Sequence, residues 1–135
     1  MKRLVVVAVL AVAVALPSLA LGGTFFYSGP LPGSNGGIEL HIKFKHHKPR
    51  KVTRVEIHNF FAGSCIVGED GPAEPGWKIN DKAKFHGTYQ SGGLTTHVTG
   101  KLKKPSNHYK KVVGTVHITS PCDSGVVDYV AKKGG

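Results

Sequence analysis

Acids are scarce in this chain: its 135 residues hold 8 Asp and Glu against 18 Lys and Arg, with 8 His, 2 Cys and one Trp. Few carboxylates leave little material for the converging acid pair of a glycoside hydrolase. No segment repeats apolar residues at i, i+3, i+4 and i+7, which argues against helices. P-loop, dinucleotide, H-E-x-x-H, Cys/His zinc and G-x-S-x-G spacings are all missing, which leaves no motif for nucleotide, zinc-protease or serine-hydrolase chemistry. Long apolar runs are missing too, except at the N-terminus.

That run, Leu4–Leu16, follows Lys2 and Arg3 and ends at Pro17-Ser18-Leu19-Ala20. A charged start, a short apolar stretch and small residues Ser18 and Ala20 predict a signal peptide over 1–20, too short for a membrane span. The expected product is a secreted, extracellular single domain over 21–135 with 16 bases and 8 acids. No Cys follows the leader, so a lipid anchor through a thiol is not expected. About 115 residues allow one domain with a real core and exclude a large multidomain enzyme.

Two cysteines in an exported chain predict one disulfide, Cys65–Cys122. A reactive thiol or a metal ligand is the alternative, disfavoured by the oxidising destination and the lack of C-x-x-C spacing. Closing a 57-residue loop is worth about 4 kcal/mol in the chain-entropy picture.

Alternation dominates the rest. Ile38, Leu40, Ile42 and Phe44 alternate with Glu39, His41, Lys43 and Lys45, which predicts a half-buried strand. A turn at His46–Lys51, pre-set by Pro49, leads to a return strand from about Val52 through Val55 and Ile57 to Phe60. A second hairpin is expected from Leu94–Lys103 and Lys111–Thr119. Pairing residues whose numbers sum to 214 sets Gly100 against Gly114, Val98 against Val116, Leu102 against Val112 and His97 against His117. Shorter strands fit Thr24–Ser28, Trp77–Asn80, Ala83–Thr88 and Val126–Lys132, with loops at 29–37 and 64–76. The expected fold is all-β, an antiparallel β-sandwich of seven or eight strands, with a small closed β-barrel as the alternative.

A geometric consequence follows. One strand runs from the Pro49 turn to Cys65, another of similar length from the Pro105 turn to Cys122. Joining the cysteines brings their α-carbons within about 5–6 Å, so the two turns should share the opposite end of the molecule. Lys43, Lys45, Lys48, Arg50, Lys51 and Arg54 surround the first turn; Lys101, Lys103, Lys104, Lys110 and Lys111 surround the second. Glu69, Asp70, Glu74 and Asp123 follow the cysteines. A dipolar domain is therefore expected, its basic pole attracting an anionic cell-envelope polymer or polysaccharide through Lys48, Arg50, Lys51, Lys103, Lys104, Lys110 and Lys111. The bland alternative is that lysines only solubilise hairpin tips and protect sheet edges. Lys outnumbers Arg and no aromatic row accompanies it, so sequence-specific nucleic-acid recognition is not expected.

His97 and His117, opposed on an outer face, are the best candidates for a metal, with His46-His47 in support; surface pairing is the plainer reading, and no cofactor is expected. Glu39 and Glu56 sit on neighbouring strands but should meet His58, His41 or Lys43. Ser124, beside a disulfide, reads as a turn residue rather than a nucleophile.

The stretch Cys122-Asp123-Ser124-Gly125-Val126-Val127-Asp128-Tyr129-Val130-Ala131-Lys132 resembles the ending of a group of secreted all-β bacterial domains of actinobacterial type, Cys-x-Ser-Gly-x-Val-x-aromatic-x-Ala-basic. Tyr27-Ser28-Gly29, Lys82-Ala83-Lys84-Phe85 and Gly114-Thr115-Val116 add to the resemblance. It implies a small extracellular β domain with a disulfide and carries no activity. Tyr129 stands where Trp is usual and Asp128 where Thr is usual. The functional expectation is a monomeric binding or structural module rather than an enzyme; the alternative is a small secreted hydrolase, possibly metal-dependent.

Overall fold

Nine strands form in the computed structural model, which describes residues 22–33, 35–69, 73–103 and 108–134. They are β1 (Gly22–Pro30), β2 (Gly37–Lys45), β3 (Lys48–Ala62), β4 (Cys65–Glu69), β5 (Trp77–Lys78), β6 (Lys84–Ser91), β7 (Leu94–Lys103), β8 (Lys111–Ser120) and β9 (Val127–Lys133). The expected signal peptide and the Lys104-Pro105 turn lie outside the described residues. No helix among the described residues is long and apolar enough to cross a membrane.

The expected all-β, antiparallel architecture with one disulfide is present. All strands join one curled sheet, a half-barrel, in the order β4-β3-β2-β1-β9-β8-β7-β6, with β5 also paired to β3. The first and last strands of the chain meet at its centre, where Tyr27 and Ser28 pair with Lys133 and Lys132. At its margins, Trp77 of β5 packs its ring against Phe85 and Tyr89 of β6, with centroids 6.4 and 6.1 Å apart. Apolar side chains fill the concave side because strand residues alternate between faces. Ile38, Leu40, Ile42 and Phe44 are all buried there, with Val98, Leu102, Val112 and Val116 from the second hairpin.

The second hairpin has the expected register: Gly100 faces Gly114, Val98 faces Val116, Leu102 faces Val112 and His97 faces His117. Small residues are needed there, since a Cβ on Gly114 would lie 1.9 Å from the carbonyl oxygen of Thr99.

The first hairpin corrects the expectation. Its turn is only His46-His47, both at positive φ (53° and 64°), the conformation of a two-residue type I′ connection. Pro49 belongs to β3 and faces Phe44, beside a bulge in which Arg50 has no opposite residue. Pro has no N–H to give a ladder, so a bulge accommodates it in a strand. A second bulge at Thr53 lets Val52 and Val55 both face inward despite their odd spacing. The 64–76 stretch, expected as loop, contains strand β4, which pairs Phe60 with Val67 and Phe61 with Ile66. Its glycine and acids mask a short alternation in which Cys65 and Val67 are buried and Ile66 is exposed.

Candidate functional site

Cys65 and Cys122 are bonded, with α-carbons 5.2 Å apart. Beside them Ser64 locks onto Asp123: its N–H donates to the Asp123 carbonyl at 3.0 Å, and its hydroxyl accepts from the Asp123 N–H at 2.9 Å. The His46-His47 turn and the paired ends of β7 and β8, Lys103 and Lys111, lie at the opposite end of the sheet. The Tyr109 ring, just ahead of Lys110, packs on Phe44 with centroids 5.8 Å apart. Tyr109 also lines a small cavity of about 130 Å³ with Lys48, Pro49, Arg50 and the Ile79–Ala83 turn. The Arg50 carbonyl accepts from the Ile79 N–H at 2.9 Å, and the Asn80 side chain accepts from the N–H groups of Lys82 and Lys84, fixing that third turn.

Lysines crowd this end. Six lysine pairs stand directly opposite each other across neighbouring strands: Lys43–Lys51, Lys45–Lys48, Lys51–Lys78, Lys84–Lys101, Lys103–Lys111 and Lys111–Lys132. All ten lysines are exposed, and among the described residues none has a carboxylate within ion-pair reach; the ion pairs found there join Glu39 to His41, Glu56 to Arg54 and Asp123 to His117.

Two of these lysines, Lys111 and Lys132, line a cleft of about 630 Å³ with His108, Lys110 and Lys133, and among the described residues its wall holds no carboxylate. The ammonium of Lys133 rests 4.0 Å from the centre of the Phe25 ring. A second cleft, of about 750 Å³, shares Lys132 and leads away between Pro30, Pro32, Val113 and Val130, with Asp128 on its wall.

Of the residues expected at the pole, Lys48, Arg50, Lys51, Lys103, Lys110 and Lys111 are there, and Lys104 lies outside the described residues. Arg54 is instead on the outer sheet face, opposite His41 and 3.9 Å from Glu56. His108 is there as expected, whereas Lys78, Lys84, Lys132 and Lys133 are additions that the turns alone do not predict. Pairing the basic end of β9 with the start of β8 would have found the two from the C-terminal strand, since antiparallel neighbours superpose one strand's end on the other's beginning. Asp81 places one acid at the basic end.

The acids are less polarised than expected. Asp123 is beside the disulfide, where the Gly125 N–H and the His117 ring hold its carboxyl below the ordinary aspartate value. Glu69 returns along β3 opposite His58, and Glu74 follows Ala73, which bridges to Val55 midway along β3. Asp70 lies outside the described residues.

His97 and His117 are opposed, with ring centroids 6.2 Å apart. Both nitrogens of His97 are engaged, by Thr88 at 2.7 Å and Thr119 at 3.1 Å, while His117 holds Asp123 at 2.9 Å. His46-His47 form the turn at the other end of the molecule and cannot assist them. No group of three or more His, Cys, Asp or Glu among the described residues is arranged to hold a metal ion. Glu39 faces Glu56, but each carboxylate is turned to a basic neighbour, His41 at 3.1 Å and Arg54 at 3.9 Å. The buried hydroxyl of Ser124 accepts from the Ile118 N–H at 2.8 Å and donates to the Gly125 carbonyl, the work of a turn residue. Comparison with protein-family models, curated proteins and solved structures finds no match to the chain.

Proposed function

We propose that the protein is a secreted binding module that holds an anionic polymer of the cell envelope at its lysine-rich end. The observation that carries this reading is the set of six opposed lysine pairs. Like charges directly opposite across strands are destabilising, so the fold retains an arrangement that works against it. An anion laid across such rows removes the repulsion and gains Coulomb energy from several ammonium groups at once.

Solubility alone does not ask for this placement. Charges that protect a sheet from edge pairing belong on edge strands, here β4 and β6. Lys43 is on β2, Lys111 on β8 and Lys132 on β9, all with strands on both sides. The all-basic cleft beside them supplies a concave seat, and the bonded cysteines fit an oxidising destination.

Retention on immobilised polyphosphate and on an immobilised uronate polysaccharide, at low and high salt, tests the reading. Replacing Lys103, Lys111 and Lys132 with Gln should abolish retention. Replacing the exposed residues Gln90, Ser120 and Val126 with Glu changes the net charge equally, at the far end, and should leave most of it. Equal losses for both variants would reduce the effect to net charge and overturn a defined site.

A further inference from the structure

The lysine rows explain attraction to any polyanion and do not choose among them. A choice is offered by the outer face of β1, β2 and β3. Cross-strand register puts Phe26 opposite His41 and His41 opposite Arg54. Phe26 is 53% exposed on this face. Its ring is not idle: it stacks on the His41 imidazole, centroids 4.3 Å apart and planes 29° from parallel. His41 is in turn held by Glu39 at 3.1 Å. One face of an aromatic ring is thereby fixed in orientation by a polar chain while much of the ring remains open to solvent.

Arg54 has capacity to spare. Its terminal nitrogen reaches Glu56 only at 3.9 Å, and its Nε, buried, has no hydrogen-bond partner among the described residues. A guanidinium offers five donors in a planar fork suited to a carboxylate or a phosphate. Phe26 and Arg54 stand two strands apart, about 10 Å at ordinary strand spacing, a span within reach of one sugar unit and its acid group. The neighbouring row runs Lys132, Ser28, Glu39, Glu56, and Gly134 of the chain that leaves β9 donates to the Phe26 carbonyl at 2.8 Å. The aromatic face is thus contiguous with the lysine rows.

We propose that this face is a saccharide subsite, with the apolar side of a pyranose ring lying on Phe26 and the sugar's acid group on Arg54. The inference rests on the polyanion reading above and narrows it to one class, an acidic polysaccharide. A pyranose presents an axial C–H face that an aromatic ring covers well, and hydroxyls that carboxylates such as Glu39 and Glu56 accept. A polyphosphate has no apolar face and gains nothing from Phe26.

Calorimetric titration with polygalacturonate oligosaccharides and with polyphosphate of matched charge tests the proposal, on the wild type, Phe26→Ala, Arg54→Gln and the triple Lys→Gln variant. Phe26 and Arg54 are on the open face, so neither change removes core. Phe26→Ala should weaken polygalacturonate binding about tenfold, the equivalent of one modest contact, and leave polyphosphate within about twofold. Arg54→Gln should weaken both polymers by a similar few-fold, since its fork takes phosphate as readily as carboxylate; the discrimination between polymers is read from Phe26→Ala alone. Equal affinity of Phe26→Ala and wild type for polygalacturonate, or equal losses for both polymers, overturns the subsite. Loss of polygalacturonate binding in Phe26→Ala but not in the lysine variant supports the subsite and overturns the lysine-end reading. Failure of the wild type to bind either polymer overturns both.

Discussion

The phenol of Tyr27 donates a hydrogen bond to the carbonyl of Tyr109 at 2.8 Å, joining the first strand to the segment that enters β8. The Tyr27 ring is fully buried, and burial pushes its phenol above the ordinary tyrosine value, so the donor stays protonated at any physiological pH. Together with the Phe44–Tyr109 ring contact, this bond sets the segment leading to Lys110 and Lys111 against the end of the first hairpin. Tyr27→Phe keeps the ring and deletes the donor. The expected loss is about 1 kcal/mol in urea denaturation, with earlier elution from a polyanion column. Unchanged stability and elution would mean that the Tyr109 segment is positioned by other contacts.

The disulfide stabilises the same arrangement from the far end. Its loop of 57 residues implies that Cys65→Ser with Cys122→Ser costs about 2–5 kcal/mol. The lysine-rich end is also held without it, through Tyr27, Phe44 and the Arg50–Ile79 bond. The double variant, where still folded at low temperature, is therefore expected to unfold earlier yet bind polyanion as tightly as the parent. Binding lost while circular dichroism still reports native sheet would show that the sulfurs, not the aromatic contacts, align the lysine-bearing strand ends of the two hairpins.

Which parts were legible in the sequence follows from periodicity. The second hairpin could be read from Thr96 to Lys103 because Val98, Leu102, Val112, Val116 and Ile118 keep their alternation and the paired Gly100 and Gly114 pin the register; the bulge between Thr95 and Thr96, which sets Thr95 against Ser120, left no such mark. The first could not, because the bulges at Arg50 and Thr53 shift the phase of β3, and Pro49 imitates a turn residue. Two histidines at positive φ are a rarer turn than Pro-led ones, so His46-His47 read only as the start of a longer turn that runs to Lys51. The all-basic cleft needed the pairing of β8 with β9, a contact set by tertiary order rather than local pattern. The C-terminal motif has a structural cause at several of its positions. Ser124 ties off Ile118, Gly125 takes a φ of 70°, the Tyr129 hydroxyl donates to the Thr99 carbonyl, and Ala131 is fully buried.

Acid should loosen the disulfide end first. The Asp123 carboxyl is lowered from its ordinary value of 3.8 by the Gly125 N–H and by His117. A group whose folded-state value is depressed adds stability above its unfolded value and loses it as pH falls through the folded one. The advantage of the parent over Asp123→Ala should therefore be full above about pH 5 and fade as pH falls below 3.8. Thermal melts of both proteins from pH 7 to pH 2 measure this; a gap that persists at pH 2 would assign the effect to packing instead of charge.

Lys111 separates stability from binding. It lies between Lys103 and Lys132, two like-charge pairs in one row. Lys111→Glu converts both repulsions into attractions on an exposed surface. At a few tenths of a kcal/mol per cross-strand pair the variant should gain about 1 kcal/mol, raising the melting temperature by about 3–6 °C. The same change places a carboxylate in the wall of the basic cleft and should cut polyanion affinity, with a shallower dependence on salt because fewer counterions are displaced. A residue kept only to hold the fold would lose stability on replacement, and one kept only for solubility would leave affinity unmoved. The opposite movement of melting temperature and affinity is the signature of a position held against stability for the sake of a ligand.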